Sequence, residues 1–284
     1  LMAKADAYLD LDAPDKAIPD LEQAQTLLLR TVGQEDDRTL QCQFDLARAH
    51  VLNEDIAQGL ALAKQVWIHG SHAHGTLAPS TLQSLLYYSI AARLSYQTNR
   101  TAAARAVEDT LVRMRENSTL DADDLERSKW MIAGSFAVLH RHQEAISLYL
   151  ELAQSNGVYK SHQVRRRLSD AYADAGYYDQ AISVCEELLG MVDLFNRPDF
   201  ADDRLEVMGQ LADAYEKADL NQKGVALREQ ILAGHAKLRG PNDEATLQAM
   251  ASRAFAHEME DDAAGPAVHA ALLAWEVTAG PRHA

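Results

Sequence analysis

The sequence is poor in cysteine, in aromatic residues and in long apolar runs. Its 2 cysteines, Cys42 and Cys185, fall in different repeats of the pattern that organises the chain, so we expect no disulfide. Aromatic residues make up 6% of the 284 residues, a share that suits close-packed helices better than a sandwich of β-branched strands. No apolar run reaches transmembrane length and no signal-peptide pattern occurs. We therefore expect no membrane partner and a cytoplasmic location.

Positive charge is also scarce. Lysine and arginine number 27 against 42 aspartate and glutamate residues, which gives a net charge of −15. Such a surface repels nucleic acid and anionic lipid, so we expect neither as a partner. The sequence lacks phosphate-loop, dinucleotide-binding, nucleophile-elbow, HExxH and CxxC motifs. Because no residues support catalysis or a cofactor, we predict that the chain is not an enzyme and needs no cofactor.

The stretch 168–188 contains two helix-period patterns that meet at Gly176. The first pattern carries Tyr172 on its apolar face, and the second carries Ala181 and Cys185, one helical turn apart. Glycine tolerates the positive φ angle that often ends a helix. The stretch therefore predicts a helix–turn–helix hairpin.

The same hairpin pattern recurs seven times along the chain. Two helices approach closely only where their facing residues are small, and each repeat carries one small residue in each helix. In the second helices these residues are Ala17, Gly59, Ala103, Ala145, Ala181, Gly224 and Ala264. In the first helices they are Ala5, Ala47, Ala91, Ala133, Ser169, Ala212 and Ser252.

The connections between hairpins repeat as well. A glycine is followed six residues later by Thr-Leu-Gln in 33–41, 75–83 and 240–248. No strand pattern survives this assignment, so the sequence predicts an all-α fold. We predict one array over residues 1–284, with repeats at about 1–32, 33–74, 75–118, 119–157, 158–193, 194–239 and 240–284.

The hairpins resemble tetratricopeptide repeats, with Leu168, Tyr172, Gly176, Tyr178 and Ala181 at the signature places of that family. The period of roughly 41 residues exceeds the usual 34 and is similar to the long-period variety of kinesin light chains and bacterial regulators. HEAT and armadillo repeats share this period, but they do not account for the small residues that recur at fixed positions in both helices of each hairpin. The resemblance implies a right-handed α-solenoid of about seven hairpins. Its first helices would line a concave groove that binds peptides or partner proteins.

The resemblance also implies which residues line the groove, at fixed distances from the small residue of each first helix. Aromatic side chains beside arginines would suit an extended peptide with an apolar or aromatic side chain and a nearby carboxylate. In the alternative interpretation, the aromatic rings fill gaps between helices, and the arginines pair with carboxylates of the chain itself. The candidate peptide-binding residues are Phe44, Arg48, Tyr88, Arg127, Trp130, Gly134, Arg166 and Asp170.

Histidines cluster at His69, His72 and His74, after the predicted end of a helix near residue 69. Three imidazoles at this spacing could hold a transition metal. No cysteine or nearby acid completes a ligand set, so we predict a polar, glycine-rich loop and no metal. His140 and His142 straddle the turn of the fourth repeat, where the reference hairpin has Gly176, and we interpret them as a variant turn.

Two functions fit the repeats. The first is a protein–protein interaction scaffold that binds a peptide or partner protein in its groove. The second is a sensory or regulatory domain of a larger bacterial signalling protein, attached to a protein kinase or a winged-helix transcription regulator. The chain begins at Leu1, and its last residues resemble the start of another connection, so we expect a fragment of a longer protein.

Overall fold

A computed structural model describes residues 1–154, 161–195 and 201–260, and within these ranges the chain is helical with no strand. The prediction of an all-α fold is confirmed. The described helices are α1 (Met2–Asp10), α2 (Pro14–Thr31), α3 (Asp37–Leu52), α4 (Ile56–His74), α5 (Pro79–Arg93), α6 (Gln97–Glu116), α7 (Ala122–Val138), α8 (His142–Ala153), α9 (Ser161–Asp174), α10 (Tyr178–Phe195), α11 (Ala201–Lys217), α12 (Asn221–Arg239) and α13 (Glu244–Glu260).

The helices pack as stacked hairpins in two compact units, Leu1–Lys160 and Ser161–Ala284, here called the N-terminal and C-terminal units. In the N-terminal unit, α1/α2, α3/α4, α5/α6 and α7/α8 form hairpins, and the second helix of each of the first three contacts the first helix of the next. The C-terminal unit repeats this order from α9 to α13. A hairpin leaves one face uncovered, and its neighbour covers that face.

The small residues lie where the helices of a hairpin cross. A Cβ atom added at Gly59 would lie 2.5 Å from Val51 Cγ2 and 3.0 Å from the carbonyl oxygen of Ala47. In the reference hairpin, the hydroxyl of Ser169 donates a hydrogen bond to the carbonyl oxygen of Ala181 at 3.3 Å. Such contacts allow only small side chains, which explains why the pattern repeats.

The turns within the hairpins share one backbone conformation. Five residues, each five positions before the small residue of a second helix, have φ between 52° and 80°: Asp12, Glu54, His140, Gly176 and Asp219. The residue after each turn donates its backbone N–H to the carbonyl oxygen five residues earlier. Tyr177 N, for example, lies 2.8 Å from Tyr172 O. The predicted turn at Gly176 and the variant turn at His140 are confirmed.

The third hairpin departs from this turn. Its first helix ends at Leu94 with φ −77°, in the right-handed region. Alignment of the Thr-Leu-Gln sequences at 39–41 and 81–83 places Ser89, which is fully buried, at the position of Ala47. The prediction that Ala91 is the crossing residue is therefore wrong by two positions, because the α5–α6 hairpin has two more residues between its small positions.

The register of the last hairpin is also wrong. Ser252 is exposed, whereas a residue at a helix crossing is buried. When buried Thr246 is aligned with Thr39, the position equivalent to the crossing residue Ala47 is residue 254. The side chain at 254, the predicted partner Ala264 and the last predicted helix, 261–278, lie outside the residues that the structure describes.

The predicted histidine loop is wrong, because α4 continues to His74 and ends at Gly75 with φ 88°. Gly70, which suggested a loop, is instead buried against α5, and a Cβ atom there would lie 3.2 Å from Thr81 Oγ1. His74 Nε2 lies 2.8 Å from Asp37 Oδ1. Among the described residues, no group of three or more His, Cys, Asp or Glu side chains could hold a metal ion.

Candidate protein-binding face

The first helices of the N-terminal unit adjoin one another. Helix α1 contacts α3, and α5 contacts α7. The rings of Phe44 on α3 and Tyr87 on α5 meet edge to face, with their centroids 5.4 Å apart. We call the surface of α1, α3, α5 and α7 the first-helix face. Six of the eight candidate residues belong to these four helices, and five of them lie on this face.

Phe44 and Arg48 lie one turn apart on α3 and are both half-buried. Arg48 Nη1 lies 3.6 Å from Asp45 Oδ1. The carboxylate of Asp45 also accepts hydrogen bonds from Gln41 Nε2 at 3.0 and 3.1 Å. Burial raises the pKa of Asp45, and these polar contacts oppose that rise. Arg48 therefore already has a carboxylate partner within the chain.

Tyr88 does not line the first-helix face, so this site prediction is wrong. Its side chain is 3% exposed and stacks on Trp67 of α4, with the ring centroids 6.1 Å apart. The cause is the register of the third hairpin, which places Tyr88 at the buried position of Leu46. Tyr87 instead presents a half-buried ring beside Phe44.

Trp130 and Gly134 lie one turn apart on α7. The indole of Trp130 meets Tyr149 of α8 edge to face, with centroids 5.9 Å apart. A Cβ atom at Gly134 would make ordinary contacts, at 3.6 Å from Leu86 Cδ1 and 4.0 Å from the Tyr149 hydroxyl. A Cβ atom at Gly134 therefore fits without displacing its neighbours.

The arginine predicted beside Trp130 is paired within its own helix. Arg127 Nη1 lies 2.9 Å from Asp124 Oδ1, three residues earlier on α7. Exposed pairs of this kind contribute little to stability. The pair nevertheless gives the guanidinium a partner before any ligand arrives.

Arg166 and Asp170 belong to the C-terminal unit, where they join α9 to α11. Arg166 Nη1 donates to Glu206 Oε2 at 2.6 Å, and its Nη2 makes a second bond to the same carboxylate. Gln210 Nε2 donates to Asp170 Oδ1 at 2.7 Å. Burial raises the pKa of Asp170, and the nearby Arg167 and Arg166 oppose that rise. These contacts match the alternative interpretation, in which arginines pair with the chain's own carboxylates.

Sequence reasoning missed Tyr87 and also a cleft of about 390 Å³ beside Phe44, between α3, the end of α4 and the start of α5. Alignment of the Thr-Leu-Gln sequences at 39–41 and 81–83 places Leu86 at the position of Phe44 and Tyr87 at the position of buried Asp45, so this repeated sequence does not identify Tyr87.

The described helices thus form a stack of helical hairpins, and the comparisons with known proteins concern this fold. No protein-family model matches the sequence, and no curated protein sequence matches it. Solved structures do match. A kinesin light chain-like protein of Podosopora anserina with nearly identical TPR-like repeats is 19% identical at a TM-score of 0.50, over 84% of this chain and 94% of that one.

Two further structures share the fold. BtubC (BKLC) from P. vanneervenii is 16% identical at a TM-score of 0.53, over 81% of this chain and 94% of that chain. The signal transduction ATPase PH0952 from Pyrococcus horikoshii, which has a tetratricopeptide repeat sensor, is 14% identical at a TM-score of 0.55. That match covers 97% of this chain and 41% of the ATPase. The predicted resemblance to long-period tetratricopeptide repeats is confirmed at the level of the fold.

Within the part of the chain that the structure describes, no helix combines the length and the apolar character needed to cross a bilayer.

Proposed function

We propose that the chain is a protein-interaction scaffold that binds a peptide or partner protein on the first-helix face. The observation that carries this proposal is a set of part-exposed aromatic rings on three successive first helices: Phe44, Tyr87 and Trp130. Tyrosine, tryptophan and arginine dominate the binding energy of protein interfaces. The aromatic members contribute large contact areas at a small cost in conformational entropy. The proposal assigns the chain no catalytic activity.

Within this proposal, Phe44, Trp130 and Gly134 form the contact surface. Arg48 and Arg127 lie at its edges, where their pairs with Asp45 and Asp124 fix their positions. We retain Arg166 and Asp170 as the corresponding residues of the C-terminal unit. A single array of seven repeats, which would present both sets of residues to one groove, remains a prediction.

A matched pair of glycine substitutions tests the face. Gly134→Met projects a long side chain from α7 onto the first-helix face, at a position where a Cβ atom fits. Gly190→Met makes the same change on α10, a second helix, where a Cβ atom would meet nothing within 4 Å. Both changes replace a helical glycine with a good helix former, so neither should lower stability.

The measurement is quantitative capture of partner proteins from a lysate of the source organism by the wild-type chain and by each variant. We expect Gly134→Met to lose the proteins that the wild-type chain captures, and Gly190→Met to keep them. Equal capture by all three chains would show that the partner binds elsewhere.

A second candidate function is a sensory or regulatory domain of a larger signalling protein. The observation that favours it is the match to PH0952, which spans 97% of this chain but 41% of the ATPase. The array therefore resembles one part of a multidomain protein. The complete reading frame is the test: an adjoining kinase, ATPase or winged-helix domain supports this function, and a reading frame without an effector domain contradicts it.

A further inference from the structure

The cleft beside Phe44 has the size of a site for one side chain. It lies between α3, the last turns of α4 and the start of α5, and its volume is about 390 Å³. Phe44 and Gln41 line it from α3, Gly70 and His74 from α4, and Thr81 from α5. Pockets for small molecules span roughly 300–1,000 Å³, so this cleft is at the lower end of that range.

Thr81 gives the cleft an unused hydrogen-bonding group. Its side chain is 1% exposed, and Oγ1 has no hydrogen-bond partner in the described part of the chain. The equivalent residue of the later connection, Thr246, donates to the carbonyl oxygen of Gly240 at 2.8 Å. Thr39 Oγ1 also lacks a partner, but it does not line this cleft. A buried polar group without a partner costs free energy, which a ligand that donates a hydrogen bond to Thr81 would recover.

The charges around the cleft favour a cation. Among the residues that the structure describes, no lysine or arginine lines it, and Asp37, whose side chain is 84% exposed, contributes a carboxylate. Gln41 donates Nε2 to Asp45, which leaves its Oε1 as the atom that accepts from a ligand. The ring of Phe44 adds an aromatic surface to which a cation is attracted. The net charge of −15 favours a basic partner at long range.

An acidic partner gains less from this face. The two arginines nearest the exposed rings, Arg48 and Arg127, already pair with Asp45 and Asp124. A partner carboxylate would have to displace those intramolecular carboxylates. A partner cation instead meets Gln41 Oε1 and Thr81 Oγ1, together with the 84% exposed carboxylate of Asp37, whose Oδ1 lies 2.8 Å from His74 Nε2. Of the two basic side chains, arginine suits the cleft better, because its guanidinium is planar, weakly hydrated and able to stack on a ring while it donates hydrogen bonds.

We propose that the cleft between α3, α4 and α5 binds an arginine side chain of the partner, with Asp37, Gln41, Phe44 and Thr81 as the contacting residues. This inference rests on the proposed function, since it names the chemistry of the partner at one point of the first-helix face. It replaces the expectation of an acidic partner with that of a basic one.

The test uses three small probes and the full chain labelled with ¹⁵N. N-acetyl-arginine amide is titrated while backbone amide chemical shifts are recorded, and N-acetyl-citrulline amide and N-acetyl-glutamate amide follow as controls. Citrulline has the shape of arginine without its charge. We expect saturable shifts at the α3 and α5 residues of the cleft with the arginine probe, roughly threefold weaker binding of citrulline, and no saturation with glutamate.

Two variants extend the test. Thr81→Val removes a hydroxyl that has no partner, so the melting temperature should stay the same or rise while the arginine probe binds more weakly. Thr246→Val is the matched control: it removes a hydrogen bond that is made, so it should lower the melting temperature and leave probe binding unchanged.

Equal binding of arginine and citrulline, or probe binding that Thr81→Val does not weaken, would overturn the proposal. Absence of saturable shifts at the cleft would overturn it as well. The capture experiment with Gly134→Met is independent of these results, because position 134 does not line the cleft. Failure of the arginine site and failure of the scaffold are therefore distinguishable.

Discussion

The crossing of α3 and α4 at Gly59 yields a quantitative prediction about stability. Alanine at this position would place Cβ 2.5 Å from Val51 Cγ2 and 3.0 Å from Ala47 O, so the neighbouring atoms must move. Valine in a helix is held close to one rotamer, and the carbonyl belongs to the backbone, so relief requires the helices to separate. Overpacking costs ~1–3 kcal/mol, and the better helix propensity of alanine offsets about 1 kcal/mol. We expect Gly59→Ala to lower the free energy of unfolding by up to ~2 kcal/mol.

The matched control is Gly190→Ala on α10, where a Cβ atom would meet nothing within 4 Å. This substitution should raise the free energy of unfolding by ~0.5–1 kcal/mol, because it removes only the flexibility of a helical glycine. Urea denaturation followed by circular dichroism measures both effects as shifts of the midpoint at constant slope. If both alanines stabilise the chain equally, the helices do not cross at Gly59 and the reasoning about the small residues is refuted.

Three further predictions concern a turn, a buried acid and an ion pair. Glu54→Gly should raise the free energy of unfolding by ~1 kcal/mol, and Gly176→Ala should lower it by a similar amount, because both positions need positive φ; urea midpoints measure both. Burial raises the pKa of Asp45 in the folded chain above 3.8, so its contribution to stability is present at low pH and is lost as the pH rises through the folded pKa. Thermal melts from pH 3 upward should therefore show wild type losing stability relative to Asp45→Asn, and parallel profiles would contradict this. Arg166→Ala should change the free energy of unfolding by less than ~1 kcal/mol, because its ion pair with Glu206 is part-exposed. A larger loss in urea denaturation would show that this ion pair contributes strongly to the stability of the C-terminal unit.

The hairpins were predictable from the sequence because their signals are local. Gly176 and the small residues Ala47, Gly59 and Ala181 act over one turn or one crossing, and spacing along the chain is enough to find them. The register of the third hairpin was not predictable from small residues alone. Ala91 is also small and fully buried, so it fits the same pattern as Ser89.

The candidate site was predictable only in part. Phe44 and Trp130 lie on first helices and are part-exposed, at fixed distances from the small residues Ala47 and Ala133; that they contact a partner stays a prediction. The pairing of Arg166 with Glu206 joins residues 40 positions apart and depends on how one hairpin stacks on the next. The cleft at Thr81 likewise forms only where three helices meet, so no local pattern in the sequence predicts it.

Photo-crosslinking tests the central proposal most directly. The photoreactive residue p-benzoylphenylalanine replaces Phe44 on the first-helix face in one chain. In a matched chain it replaces Val112, which is 52% exposed on the second helix α6. Both chains are irradiated in lysate of the source organism. The scaffold proposal predicts a covalent partner from position 44 and none from position 112. The same partner from both positions, or a partner from position 112 alone, would contradict it.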